Sequence, residues 1–396
     1  MSFMTEARLA VDAGAGKLEA PASTASAPGP MPGPMLEPTY EGDFVLDGHL
    51  QLDCGRTLAS PTLHYAVYGR LDAARDNAVL ICHALSGSAR VGDWWPEIFA
   101  SGGLLSLEQD CAICVNLLGS CYGSTGPSSL NPETGKTYGP DFPLVSIRDN
   151  VRAQQQLLAS LGIARLRLVL GGSIGGMQAL EWSILNPDRV ERAVIIAVAP
   201  LSAMGLALNH LQRNAIQQDP DWESGLYLPQ RPPRRGLALA RQIAMLSYKS
   251  ASLFDERFGR NPNRNGEDPW GLVVEEAELG GGLIGGRFDI AGYLDHQGER
   301  FINRFDANSY LAILRTMDTW DPLRGHATPA EAVSGIQARL SFVGISSDWL
   351  FPSPSVRAFA AAIQASGVQA DYLEMISDHG HDAFLAEQGE LVRLLG

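Results

Sequence analysis

The chain has 396 residues and a formal net charge of −14, enough length for one large domain with an insertion or for two smaller domains. Its acidity, with no basic cluster to offset it, argues against nucleic-acid binding, although a local pocket of arginines and helix N-termini can still hold an anionic cofactor. Five cysteines and no secretion signal fit a reducing, cytoplasmic setting, and no run reaches the ~18–20 apolar residues of a membrane helix, so a soluble protein is expected.

Residues 1–38 are rich in Ala, Pro, Gly and Ser, cannot build a core, and are expected to form a disordered tail. From about residue 39 to 200, strand-like runs alternate with helical ones. The runs are Thr62–Gly69, Ala78–Cys82, Ala112–Leu117, Leu166–Leu170 and Val194–Val198, and Ser146–Leu161 is the clearest helix between them. This alternation predicts a mainly parallel sheet with covering helices. Cys111 and Cys114 form a C-x-x-C, but strand alternation points them to opposite faces, so they read as core residues and not as a redox pair. From 201 to 324 helical periods dominate and buried-strand runs disappear. A helical block between two halves of one sheet reads as an inserted cap over the active site, with the glycine-rich run Gly280–Gly286 as a lengthened cap loop. Sheet-like runs resume at Leu340–Ile345 and Ala370–Met375, so 325–396 returns to the core.

Ser173 lies in Gly171-Gly172-Ser173-Ile174-Gly175-Gly176, between an apolar strand-like run and a helical pattern. A serine at a strand-to-helix bend with glycines on both sides is the pattern of a nucleophile elbow, where the bend lifts the hydroxyl above the sheet and the backbone needs room. The same motif also arises in ordinary glycine-rich turns, so its partners decide. A nucleophilic serine needs a base and an acid that orients the base, in the chain order Ser, Asp or Glu, His. Asp348 follows the run Leu340–Ile345 and His381 follows Ala370–Met375, each in a loop after its own strand. His379 competes with His381 and, with Asp378 and Asp382, raises a metal site as an alternative, but no metal-ligand spacing supports one. The oxyanion donors are expected to be the N–H of Ile174 and an amide near Leu85, in the loop His83-Ala84-Leu85-Ser86-Gly87 after Ala78–Cys82. His83 reads as a packed structural residue.

With these motifs in place the chain resembles the homoserine O-acyltransferase family, in particular the homoserine O-acetyltransferases, which have an α/β-hydrolase fold. The segments that carry the resemblance are His83–Gly87, Asn116–Pro127, Gly171–Trp182, Leu211–Ile216, Arg235–Arg241, Phe305–Leu311 and Gly380–Leu385. They span the chain from about Tyr40 to the C-terminus. The resemblance implies that Ser173, Asp348 and His381 form the triad and that Arg241 and Asp382 bind substrate. The chemistry agrees, because a guanidinium can fork onto an α-carboxylate and a carboxylate can accept from an α-ammonium. Tyr248 either lines the same pocket or is a core tyrosine, Arg241 could alternatively face solvent on an amphipathic helix, and Arg213 has no clear place.

The expected reaction is a ping-pong transfer of acetyl from acetyl-CoA to L-homoserine in methionine biosynthesis, with acetyl-CoA as co-substrate and no permanently bound cofactor or metal. Rival readings are a homoserine or serine O-succinyltransferase, an esterase or thioesterase using the same triad, and a non-catalytic binding protein on the same fold. The resemblance implies that succinylating relatives carry an arginine soon after the triad aspartate, where this chain has Leu350, which favours acetyl; Arg90 is the nearby cation that would favour succinyl. The resemblance also implies a homodimer formed through the inserted helices.

Overall fold

The computed structural model describes residues 36–264, 269–270 and 286–396. Eight strands form one twisted sheet: β1 (Tyr40–Val45), β2 (Thr62–Tyr68), β3 (Ala78–Cys82), β4 (Cys111–Val115), β5 (Leu166–Gly172), β6 (Val190–Ile196), β7 (Arg339–Ile345) and β8 (Ala370–Met375). Their order across the sheet is β1-β2-β4-β3-β5-β6-β7-β8. β1 runs antiparallel to β2 and β2 to β4, and every other neighbouring pair is parallel. The fold is that of an α/β hydrolase. The central strands are buried along their whole length, as Ala-Val-Leu-Ile-Cys in β3 and Cys-Ala-Ile-Cys-Val in β4, because helices cover both faces.

Two apolar layers result, one on each face of the sheet. Cys111 belongs to one layer and Cys114 to the other, and both thiols are free and buried. The strand at 190–196 begins four residues earlier than the apolar run Val194–Val198, since its first residues include Glu191, which is exposed, and Arg192, which is half-buried. β1 escapes an apolar-run reading because it is a half-exposed edge strand.

Helices α1 (Ile147–Ser160) and α2 (Ile174–Leu185) follow β4 and β5. Ser146 caps α1 by accepting from the Asp149 N–H at 3.0 Å, while Asp149 accepts from the Ser146 N–H at 2.8 Å. Between β6 and β7 the described residues include α3 (Ala203–Gln217), α4 (Arg234–Tyr248), α5 (Ala251–Arg257), α6 (Asp289–Ile302), α7 (Ala307–Asp318) and a short α8 (Pro329–Val333). α3 packs on α4 and α4 on α6, while Tyr310, Ile313, Leu314 and Met317 of α7 enter the larger core layer. Most of the glycine-rich run Gly280–Gly286, and the tail up to residue 35, lie outside the described residues. Leu36 and Glu37, assigned to the tail on composition, are instead placed against the body of the protein. Leu36 packs on the second core layer and Glu37 pairs with Arg90 at 2.7 Å. Among the described residues no helix is long and apolar enough to cross a membrane.

One close approach sets the geometry of the β5–α2 bend. A Cβ on Gly175 would lie 2.1 Å from the Cys82 carbonyl oxygen and 3.0 Å from that of His83. Only glycine lets the first turn of α2 rest against the end of β3. Gly175→Ala is therefore expected to destabilise the protein by roughly 1–3 kcal/mol or more through overpacking against backbone that cannot yield. Urea unfolding of the two proteins measures the difference, and equal midpoints would show that the contact is slack.

Candidate active site

Ser173 occupies the bend itself, with φ 58° and ψ −128°, a backbone conformation that L residues rarely adopt. Its N–H donates to the Ile196 carbonyl of β6 at 2.9 Å, and its own carbonyl accepts from the Met177 N–H at 3.0 Å. These bonds hold the bend from both sides. Ile174 is the first residue of α2, so its N–H has no intrahelical acceptor.

Asp348 stands in the loop after β7 and His381 in the single 3₁₀ turn Gly380–Asp382 after β8. His381 Nδ1 donates to Asp348 Oδ2 at 2.7 Å, and Asp348 Oδ1 accepts from the Leu350 and Phe351 amides, each at 2.9 Å. Both carboxylate oxygens are thus satisfied in a site where neither side chain is more than a few per cent exposed. Phe351 stacks on the His381 ring at 5.4 Å, Phe384 meets it edge-on at 5.9 Å and Tyr248 lies at 5.8 Å. The turn is pinned by the Gly380 N–H, which donates to Ser347 Oγ at 2.9 Å. With Nδ1 committed to Asp348, Nε2 is the ring atom left without a partner among the described residues. Burial disfavours the His381 cation, but the Asp348 carboxylate, helped by Asp382, offsets this and holds the imidazole pKa above its usual value.

Ser173, His381, Asp382, Arg241 and Tyr248 line one cavity of about 220 Å³, together with the Leu85 turn. Leu85 is the second residue of that turn, which the Gly87 N–H closes onto the Ala84 carbonyl at 2.9 Å. Arg241 reaches in from α4 between two rings, 5.0 Å from the centre of Phe301 and 5.6 Å from that of Tyr248, with no carboxylate partner among the described residues. A guanidinium stacked but unpaired at a cavity wall is poised for an anion. The residues chosen from sequence for nucleophile, acid, base and acceptor binding are brought together here.

A family model for the alpha/beta hydrolase fold matches residues 77–388. A homoserine O-acetyltransferase of Symbiobacterium thermophilum is 43% identical over 370 residues, covering 90% of this chain and 94% of that protein. The chain belongs to the homoserine O-acetyltransferase family. A homoserine O-succinyltransferase of Alkalilimnicola ehrlichii is 42% identical over 353 residues, or 86% of this chain and 89% of that protein. The crystal structure of a homoserine O-acetyltransferase from Bacillus anthracis matches with a TM-score of 0.80 at 26% identity, covering 91% of this chain and 98% of that one. Relatives at nearly the same identity thus carry names with different acyl groups, so family membership leaves the donor open.

Several residues sit differently from their sequence reading. Leu350 is buried, but it is absent from the cavity wall, since its backbone turns inward to hold Asp348. Arg90 is spent on Glu37, Glu41 and Asp93, at 2.7, 2.6 and 3.1 Å, and also lies off the cavity. The cation beside the Leu85 turn is Arg304, which donates to the Ser86 carbonyl at 2.9 Å and to the Tyr122 hydroxyl at 2.5 Å. Arg304 precedes the family segment Phe305–Leu311 by one residue, and that adjacency was the only signal for it. Lys249 was also missed: its Nζ lies 3.0 Å from Asp382 Oδ2, so the carboxylate assigned to a substrate ammonium already has a cation behind it. Arg213 pairs with Asp318, joining α3 to α7. His379 points to Glu387, 3.1 Å away without hydrogen-bond geometry, and does not line the cavity. Among the described residues no group of His, Cys, Asp and Glu is arranged to hold a metal.

Lys249 and Asp382 act on His381 in opposite directions, the carboxylate raising its pKa and the ammonium lowering it. Lys249→Met removes the lowering charge and leaves Asp382 uncompensated, so the imidazole pKa should rise further. A base works only when neutral, and the acidic limb of the kcat/KM profile should therefore move to higher pH. An unchanged or lowered limb would show that Lys249 is electrostatically remote from the base.

Proposed function

We propose that this protein transfers an acetyl group from acetyl-CoA to the hydroxyl of L-homoserine through a Ser173 acyl-enzyme. The observation that carries this reading is the coincidence, in one small cavity, of Ser173 on its bend, His381 bonded to Asp348, and the Arg241 and Asp382 pair of opposite charges. A hydrolase has a use for the first set only. A zwitterionic amino acid with a hydroxyl at its far end uses both.

His381 Nε2 takes the Ser173 proton as Oγ attacks the thioester carbon. The tetrahedral oxyanion is received by the Ile174 and Leu85 N–H groups, the C–S bond breaks, and the thiolate leaves with the proton from the imidazolium. Homoserine then enters with its carboxylate on Arg241 and its ammonium on Asp382, whose place next to His381 brings the hydroxyl to the base. His381 takes that proton, the hydroxyl oxygen attacks the acyl carbon, and Ser173 leaves reprotonated. Asp348 keeps the imidazole in one tautomer throughout. The inserted helices limit access of water to the acyl-enzyme, which would otherwise be hydrolysed.

For the donor, the wall near Ser173 is largely apolar, with Leu85, Trp94, Phe384 and Leu385, and this suits a small neutral acyl group. Burying a succinyl carboxylate without a cation costs several kcal/mol, and ~3 kcal/mol corresponds to about a hundredfold in kcat/KM. Arg304 is the cation that could reverse the preference. The test is a screen of acetyl-CoA and succinyl-CoA against homoserine, serine and water, following free CoA. Acetyl-CoA with homoserine should be preferred by about a hundredfold over succinyl-CoA, and Ser173→Ala or His381→Ala should each remove transfer by about 10⁴-fold or more, with little added loss in the double variant. Arg241→Ala should raise the homoserine requirement while a burst of CoA release without acceptor survives. Succinyl-CoA as the better donor, with the preference reversed by Arg304→Ala, would reject acetyl while leaving the triad. Equal turnover with water would make the protein a thioesterase.

The same helices support the proposal of a homodimer. Met204 and Leu211, seven residues apart on α3, and Leu239 and Leu246, equally spaced on the adjoining α4, are exposed. Two apolar stripes on packed helices form a surface suited to a second copy. Light scattering at micromolar concentration should give about twice the chain mass, and Leu239→Glu with Leu246→Glu should return the mass to that of one chain.

A further inference from the structure

We propose that His83, which belongs to neither the triad nor the cavity wall, is a positioning residue that aims and strengthens the Leu85 N–H as an oxyanion donor. The proposal rests on the reading of the Ser173 cavity as an acyl-transfer site. The peptide between Ala84 and Leu85 carries the Ala84 carbonyl at one end and the Leu85 N–H at the other, and its planarity makes them point in opposite directions. That carbonyl accepts twice, from His83 Nδ1–H at 2.8 Å and from the Gly87 N–H at 2.9 Å. Two donors on the carbonyl fix the plane and with it the direction of the N–H. They also polarise the peptide, which makes the N–H at its far end a better donor.

The tautomer this requires is set from the other side of the ring. The Leu117 N–H donates to His83 Nε2 at 3.1 Å, and a backbone N–H can only donate, so Nε2 holds a lone pair and the proton is on Nδ1. The imidazole is fully buried, and burial pushes its pKa down to about 4 against a smaller opposing pull from the Ala84 carbonyl. His83 is therefore neutral throughout the range in which His381 works as a base, and the donor it supplies does not titrate there. Packing makes the arrangement tight: a Cβ on Gly87 would lie 3.1 Å from His83 Cβ and 3.2 Å from the Ala84 oxygen. The backbone of His83 is itself held against the bend, because α2 rests on the Cys82 and His83 carbonyls through Gly175. Both oxyanion donors are thus located by one contact.

The wild-type, His83→Asn, His83→Gln and His83→Leu proteins would be compared by stopped-flow CoA release from acetyl-CoA, and then by turnover with homoserine. Asparagine keeps an N–H where Nδ1–H stands. Glutamine keeps an acceptor nearer Nε2, and leucine keeps neither. The expected result is that His83→Gln and His83→Leu lose about 10–10²-fold in the acylation rate constant and in kcat, that His83→Asn retains most of both, and that the homoserine KM stays within about twofold in all three. A better His83→Gln than His83→Asn would overturn the proposal, since the ring would then be only a plug for the Leu117 amide, and so would losses confined to KM or no loss at all. A measurement on the unaltered protein guards against variants that fail to fold. The ¹⁵N shifts of His83 should report the proton on Nδ1 at neutral pH, and a proton on Nε2 would overturn the assignment. Should the wild-type release no CoA, the same ranking in cleavage of p-nitrophenyl acetate would uphold the role of His83 while rejecting acyl transfer from CoA.

Discussion

The contact on which the site depends is the seating of the β5–α2 bend against the end of β3. Ser173 at φ 58° and ψ −128° stores strain of about 1–3 kcal/mol, and such a backbone persists only where its surroundings over-determine it. The sheet order supplies that constraint, because β5 lies between β3 and β6. β6 accepts the Ser173 N–H through Ile196, while the Cys82 carbonyl of β3 meets Gly175 with no room for a side chain. One bend thereby fixes Ser173, the first N–H of α2 and the distance to the turn that follows β3. The glycines around Ser173 serve this seating more than any flexibility.

The buried His381–Asp348 pair is governed by a different balance. A fully buried imidazolium is costly, and only a carboxylate that is itself fully bonded makes its formation feasible. Asp348 meets that condition, with one oxygen on His381 and the other on two backbone amides. The inward turn of Leu350 and Phe351 therefore supports the His381–Asp348 pair, and the Phe351 ring stacks on the imidazole. Asp382 and Lys249 add opposite influences from just outside.

Much of this was legible in the sequence because it rests on local rules. Strand runs, the glycine-flanked serine and the order of Ser173, Asp348 and His381 all follow from backbone sterics and from chain order on a parallel sheet. β3 and β8 were bounded at Ala78–Cys82 and Ala370–Met375, where fully or partly buried runs end in turn residues. What escaped depends on tertiary placement. The edge strand β1 lacks an apolar run because nothing covers it, and Leu350 was expected at the cavity when its backbone mattered instead. Lys249 and Arg304 carry no motif: one lies at the end of α4, the other between α6 and α7, and only folding brings them to the cavity region. His83 was read as packed, which it is, but the direction of its Nδ1–H becomes visible only with the turn in place.

Arg304 joins two parts of the protein that the chain keeps far apart. Its guanidinium comes from the inserted helices and bonds the Ser86 carbonyl in the turn that carries Leu85, 218 residues earlier. The segment between β6 and β7 thereby braces the turn that lines the Ser173 cavity. Among the described residues lining the cavity, Arg241 and Arg304 are accompanied by one carboxylate, Asp382, which Lys249 already compensates. Arg241, stacked on Phe301 and Tyr248 and given no carboxylate among the described residues, is thereby left suited to the acceptor carboxylate proposed above. The triad alone is indifferent to whether the acyl group ends on water or on an amino acid. Under the acyl transfer proposed above, the charges that the helices between β6 and β7 place at the cavity would bias that choice.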